Sequence, residues 1–127
     1  LEHIQNDRDE LFKVKEALHK HGYALCFVPA CQWLYCDIDH AAGHYRRYER
    51  KQLIELFYSA GFNVISARYF DIVGIIPWYT CFVIMKMNTS KEKISHYDKY
   101  VVPVTKCLEG LISPPLGKNL LLIARKD

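Results

Sequence analysis

Twice in this chain an amphipathic helical stripe ends on a glycine and passes at once into an apolar run, and that alternation restricts the fold more than any other feature. In the first instance Leu11, Val14, Ala17 and Leu18 share one face of a helix predicted over Asp7–Lys20, while Lys13, Lys15, Glu16 and Lys20 face elsewhere. Asp7, as N-cap, and Glu10 three places on have the form of a capping box. His19, Lys20 and His21 suit the negative end of the helix dipole, and Gly22 is placed to close the helix in a left-handed conformation. Tyr23–Val28 follows as a continuous apolar run ended by Pro29, the pattern of a strand covered on both faces in the interior of a parallel sheet. In the second instance Leu53, Leu56, Phe57 and Ala60 line a helix over Glu49–Ala60, Gly61 stops it, and Phe62–Phe70 reads as a strand. Such an order of helix, strand, loop, helix, strand belongs to an α/β protein.

Between the two units, Ala30–Tyr48 has no period and is rich in aromatic, histidine and charged residues. It lies just beyond the carboxyl end of the first strand, where open α/β sheets place their ligands, so function is sought there. Asp37, Asp39, His40 and His44 are close in sequence, with the histidines four apart, which permits an oxygen-and-imidazole metal site. Gly43 weakens a helix there and no third histidine or thiolate has zinc-like spacing, so no metal is assigned and these side chains are read as facing a substrate. Arg46 and Arg47, flanked by Tyr45 and Tyr48, can grip a carboxylate or phosphate, or can be surface arginines bracing the next helix. Trp33, Tyr35, Trp78 and Tyr79 can wall an apolar pocket, although burial in a core is the commoner use of such side chains, above all for Trp78. Cys31 and Cys36 carry little promise as nucleophiles.

The chain has 127 residues, half of them apolar, enough for a single domain or a large piece of one. Its charge of +3 is spread among interleaved acids and bases, which argues against a nucleic-acid binder. Five cysteines without a CxxC pair read as reduced thiols in a cytoplasmic protein. The opening Leu1-Glu2-His3-Ile4 holds no initiator methionine or signal peptide, so either the start has been removed or the chain begins within a domain. Phe70–Met87 approaches the length of a membrane span but is interrupted by Gly74 and Pro77; it reads as a buried helix or one touching a membrane surface, bent near Pro77. A further helix is predicted within Ser95–Leu111, started afresh at Pro103, and a last strand over Asn119–Ala124.

Several strings together resemble one family. Leu1-Glu2-His3-Ile4 followed by Asn6-Asp7 resembles the motif that ends the fourth strand of class I, Rossmann-like S-adenosylmethionine-dependent methyltransferases. Gly43-His44-Tyr45-Arg46-Arg47-Tyr48, the helix that follows, Ala60-Gly61-Phe62 and the Pro114–Lys126 tail are similar to later motifs of that group, in the same order. The resemblance implies the carboxy-terminal half of such a sheet with its flanking helices. It implies one partial domain over 1–127. Residues 1–48 would hold the end of the fourth strand, a helix, the fifth strand and an acceptor loop; 49–70 a helix and the sixth strand; 71–117 an apolar helical insertion; 118–127 the last strand.

The family holds its cofactor with a glycine-rich turn after the first strand and an acidic residue at the end of the second. No GxG occurs here, and the first strands have no counterpart. The resemblance therefore implies methyl transfer from S-adenosylmethionine in a full-length parent, to a small, hydrophobic or lipid-linked acceptor, by a chain inactive in isolation. It places Leu1, Glu2 and His3 at the cofactor edge and His3 and His44 as candidate catalytic groups. His3 can equally be a structural histidine packed on the following helix. Trp33, Tyr35, His40, His44, Tyr45, Arg46, Arg47 and Tyr48 stand as candidate acceptor contacts. The rival expectation is a non-catalytic α/β module that forms homodimers through an exposed sheet edge; a membrane-anchored module follows only if Phe70–Met87 spans.

Overall fold

The computed structural model describes residues 1–86 and 114–127, and its order is helix α1 (Asp7–Ala17), strand β1 (Tyr23–Pro29), a 3-10 turn (Gln32–Leu34) and short helix α2 (Asp37–Ala41). Helix α3 (Arg50–Ser59), strand β2 (Asn63–Phe70), short helix α4 (Ile75–Trp78), a π-helical stretch (Tyr79–Ile84) and strand β3 (Asn119–Arg125) follow. The α/β class holds. The three strands lie in the order β1-β3-β2, so the last strand in sequence is central and runs antiparallel to both neighbours. An irregularity between Val64 and Ser66 shifts the β2 register.

This arrangement corrects the reading of β1 as a strand enclosed on both faces. Along β1 the exposure alternates: Val28 is buried, whereas Tyr23, Leu25 and Phe27 are 56%, 69% and 61% exposed. Successive side chains of a strand point to opposite faces, and among the described residues only one face packs into the core. There Val28, Leu120, Leu122, Ala124 and Tyr69 form a core with Leu11 of α1, Leu53 and Phe57 of α3, and Ala60 and Phe62 beyond it. On the other face Leu25 and Phe27 sit opposite Ile123 and Leu121 of β3. An unbroken apolar run thus does not distinguish a covered strand from one whose second face is bare.

The ends of α1 differ from expectation for local reasons. Asn6, not Asp7, caps the helix by accepting from the Asp9 N–H, which leaves the Asp7 carboxylate for tertiary contacts. The helix stops at Ala17, short of Lys20, because Leu18 is already extended; Val14 remains partly exposed. The left-handed residue is His21 (φ 64°) and not Gly22, whose missing Cβ instead avoids a 2.8 Å approach to the His19 carbonyl. Lys126, just after β3, closes the helix by donating from Nζ to the carbonyls of Lys15 and Leu18, both at 2.7 Å. At α3, Glu49 and Ala60 are the caps and Gly61 (φ 80°) makes the turn, as the sequence predicts.

The apolar segment after β2 is not one bent helix in its described part. Pro77 falls in the first turn of α4, where a missing N–H costs no hydrogen bond, and the backbone then loosens into the π-helical turns. No helix among the described residues is long and apolar enough to cross a membrane. The helix predicted within Ser95–Leu111, and Met87, lie outside the described residues.

The two sheet faces should respond oppositely to truncation. Leu122→Ala in the central strand should cost about 2–5 kcal/mol, whereas Leu25→Ala should fall within about 0.5 kcal/mol of the parent, both read by urea denaturation of the 127-residue chain.

Candidate functional site

Where the chain leaves β1 it is held by a second strand-like contact. Ala30 and Tyr48 form a parallel bridge: Cys31 N–H donates to the Tyr48 carbonyl (3.1 Å) and Tyr48 N–H to the Pro29 carbonyl (3.0 Å). The loop between them is thereby closed at its base. Inside it, α2 ends on Gly43 (φ 77°), whose left-handed backbone brings the His44 N–H back to the Asp39 carbonyl at 2.9 Å.

Asp39 is the anchor of this loop and is 2% exposed; Arg47, its ion-pair partner, is 3% exposed. Arg47 donates from Nε (3.0 Å) and Nη2 (2.9 Å) to Asp39 Oδ2, which also accepts from the Cys36 backbone N–H at 3.1 Å. Asp39 Oδ1 faces His44 Nδ1 at 2.9 Å. Arg47 further donates to the Ala30 carbonyl at 3.3 Å and stacks against the Trp78 ring at 4.9 Å. Trp78 is fixed in turn by its Nε1–H on the Leu34 carbonyl, 3.1 Å, and Lys118 approaches the same ring while pairing with Asp71 at 2.8 Å.

These groups border a cleft of about 260 Å³ lined by apolar Phe27, Val28, Ile38 and Trp78 and by polar Glu2 and His44. Since the carboxylate of Asp39 can only accept, His44 donates from Nδ1, and the lone pair of its neutral imidazole lies on Nε2. The cleft therefore offers a base or ligand set in an apolar wall, held in one tautomer by a buried carboxylate.

The sequence candidates divide. His44 and Arg47 line the cleft, as do Glu2 and Trp78, and His3 stands beside His44 with ring centroids 4.7 Å apart. Leu1 donates from its ammonium to Glu2 Oε2 at 3.0 Å. Tyr35 donates to the His44 carbonyl at 2.7 Å and so positions that residue. Trp33 packs edge-on against Tyr79, and His40 and Tyr45 are exposed. Arg46 and Tyr48 turn away from the cleft, both donating to Asp7 Oδ2, at 2.7 and 2.9 Å. The grouping of Glu2 with His44 was missed because 41 residues separate them; its one sequence signal was that each lay in a motif of the same family resemblance.

No protein-family model matches this chain, and no curated protein matches it. Its fold is similar to that in a crystal structure of a SAM dependent methyltransferase from Archaeoglobus fulgidus, with a TM-score of 0.53 and 17% sequence identity. The likeness covers 98% of this chain and 55% of that one, so the chain spans just over half the length of its structural neighbour.

Two measurements test the buried groups. Arg47→Ala leaves the Asp39 charge without its cation and should destabilise the chain by about 3–5 kcal/mol in chemical denaturation. In alkali the sign follows from burial, which lifts Cys26 from 9.0 to about 11 and, with the hydrogen bond to Asp7, lifts Tyr48 above its usual range. The unfolded chain then loses these protons first, so thermal stability should fall as the pH climbs from about 9 towards 11.

Proposed function

We propose that this chain is the acceptor-recognition part of an S-adenosylmethionine-dependent methyltransferase, acting on a small acceptor with a hydrophobic or lipid-linked body. The observation that carries the reading is His44, locked by buried Asp39 with its Nε2 lone pair available in a mostly apolar cleft. The methyltransferase-like fold supports it. S-adenosylmethionine would supply an electrophilic methyl group, displaced directly onto an acceptor heteroatom, a reaction that needs alignment more than covalent catalysis. His44 Nε2 takes the acceptor proton as the new bond forms, and the imidazolium is steadied by Asp39. Phe27, Ile38 and Trp78 grip the apolar body of the acceptor, and Leu1, Glu2 and His3 form the rim towards the cofactor.

On this reading the glycine-rich turn belongs to a preceding segment, which would cover the exposed Leu25 and its β3 neighbour Ile123 and extend the sheet from the edge of β1, leaving Phe27 to the cleft. The same face favours a second reading, a non-catalytic module that pairs with another copy through it. The third reading of the sequence, a membrane anchor, gains no support from the described residues.

Calorimetric titration separates these readings. The 127 residues alone should not bind S-adenosylhomocysteine at micromolar concentrations, whereas the gene product extended upstream should bind it and transfer labelled methyl groups. In that longer protein His44→Ala should lower kcat by about 10²- to 10⁴-fold. Micromolar binding by the 127 residues, or transfer indifferent to His44, would sink the proposal.

A further inference from the structure

Glu2, His3 and His44 each present one ligand atom, and these three atoms lie within 4.8 Å of one another. Two imidazoles and one carboxylate converging on a point are a donor set suited to zinc, iron or nickel, and three protein ligands leave positions open for water or substrate. Proximity alone does not make a metal site; the donors must also be held in place.

Both imidazoles are tied through Nδ1, which leaves Nε2 as the nitrogen open to a metal. His44 Nδ1 faces the buried Asp39 carboxylate at 2.9 Å, and His3 Nδ1 faces the Gly43 carbonyl at 3.3 Å. Neither oxygen belongs to the donor triad, and both can only accept. In the neutral form of each ring the proton therefore sits on Nδ1 and the lone pair on Nε2, which is the tautomer and the outer-shell arrangement of metal-binding histidines. Glu2 Oε1 is turned towards His3 Nε2, 3.9 Å away. The Tyr45 N–H donates to the Glu2 carbonyl at 2.8 Å, which pins the segment carrying Glu2 and His3 to the residue after His44. Tetrahedral ligands about 2.1 Å from an ion stand about 3.4 Å apart, so a small movement closes the set, and His3, with its side chain 56% exposed, is free to make it.

We propose that Glu2, His3 and His44 bind one divalent transition-metal ion at the mouth of the cleft. The ion would sit where an acceptor oxygen enters and would lower the pKa of a water or hydroxyl bound to it. In the metal-bound protein the His44 lone pair is committed to the ion, so the proton-accepting part given to His44 above passes to the oxygen on the metal. The binding itself does not rest on methyl transfer and is measured without cofactor or acceptor.

Cobalt(II) is the probe, added to chelator-treated protein and followed by the visible absorption that develops when nitrogen ligands replace water. One equivalent should bind with a Kd of roughly 10 μM or below, about −7 kcal/mol by the standard conversion, and zinc should abolish the signal. His3→Ala, which disturbs no core contact, and Glu2→Gln should each weaken binding by at least about tenfold. Asp39→Asn, which removes the outer-shell anion behind His44 and also takes the carboxylate from buried Arg47, should weaken it by at least about 10- to 100-fold, with circular dichroism unchanged in the His3 and Glu2 variants, which carry the test of the ligands themselves. No cobalt signal in the parent chain, or equal affinity in the parent and His3→Ala, overturns the metal site. A missing signal together with retained His44-dependent transfer in the extended protein would remove the metal while leaving His44 as the base.

Discussion

A buried carboxylate needs partners for its charge, and Asp39 finds all of them within one loop. Its two oxygens take the Arg47 guanidinium, the Cys36 backbone N–H and the His44 imidazole, all between 2.9 and 3.1 Å. Taking two ions out of water costs several kcal/mol, and their attraction offsets it only where the geometry is good and the remaining donors are satisfied. Arg47 meets that condition, since its third nitrogen donates to the Ala30 carbonyl and its plane lies over Trp78. The pair is thus better understood as a device that permits one loop conformation than as a source of stability. From that conformation follow the tautomer of His44, the position of Trp78 and the shape of the cleft.

The loop in turn depends on where β3 lies. Asn119–Arg125, the last strand in sequence, enters between β1 and β2, and every ladder in the sheet involves it. Pairings of such sequence separation form late, because the loop must close before the contacts reward it. Lys126 then reaches back to the end of α1 and ties the final residues to the first helix. Gly117 shows how closely the strand is seated at its start: a Cβ there would come within 2.3 Å of the Phe70 carbonyl.

The helices, the strands and the alternation between them were legible in the sequence because they follow from local rules: apolar period, caps and the left-handed turn at Gly61. The parallel sheet expected around β1 was not, since strand direction depends on a partner nearly a hundred residues away. A residue at the loop centre was legible only as chemistry. Asp39 and His44 were marked as polar and ligand-like, but sequence spacing suggested His40 as their companion, whereas the short α2 leaves His40 in solvent. The companions that geometry supplies, Glu2 and His3, come from the other end of the loop's surroundings and reach it through the Tyr45–Glu2 backbone bond.

Arg46 and Arg47 make the limit of sequence reasoning concrete. As neighbours they invite one role, a forked grip on an anion. Extended backbone sends consecutive side chains to opposite sides, and the bridge of Tyr48 to Ala30 makes this stretch strand-like. Arg46 and Tyr48, two apart, therefore share a side and converge on Asp7 Oδ2, which is available because Asn6 and not Asp7 caps α1. Arg47 faces the other way and meets Asp39. One dipeptide thus fastens the loop to the first helix on one side and fixes the anion that orients His44 on the other. Both guanidinium groups are matched by carboxylates of the same chain. That leaves the His44 side of the cleft, and not the arginine pair, as the place where a ligand finds an uncommitted polar group.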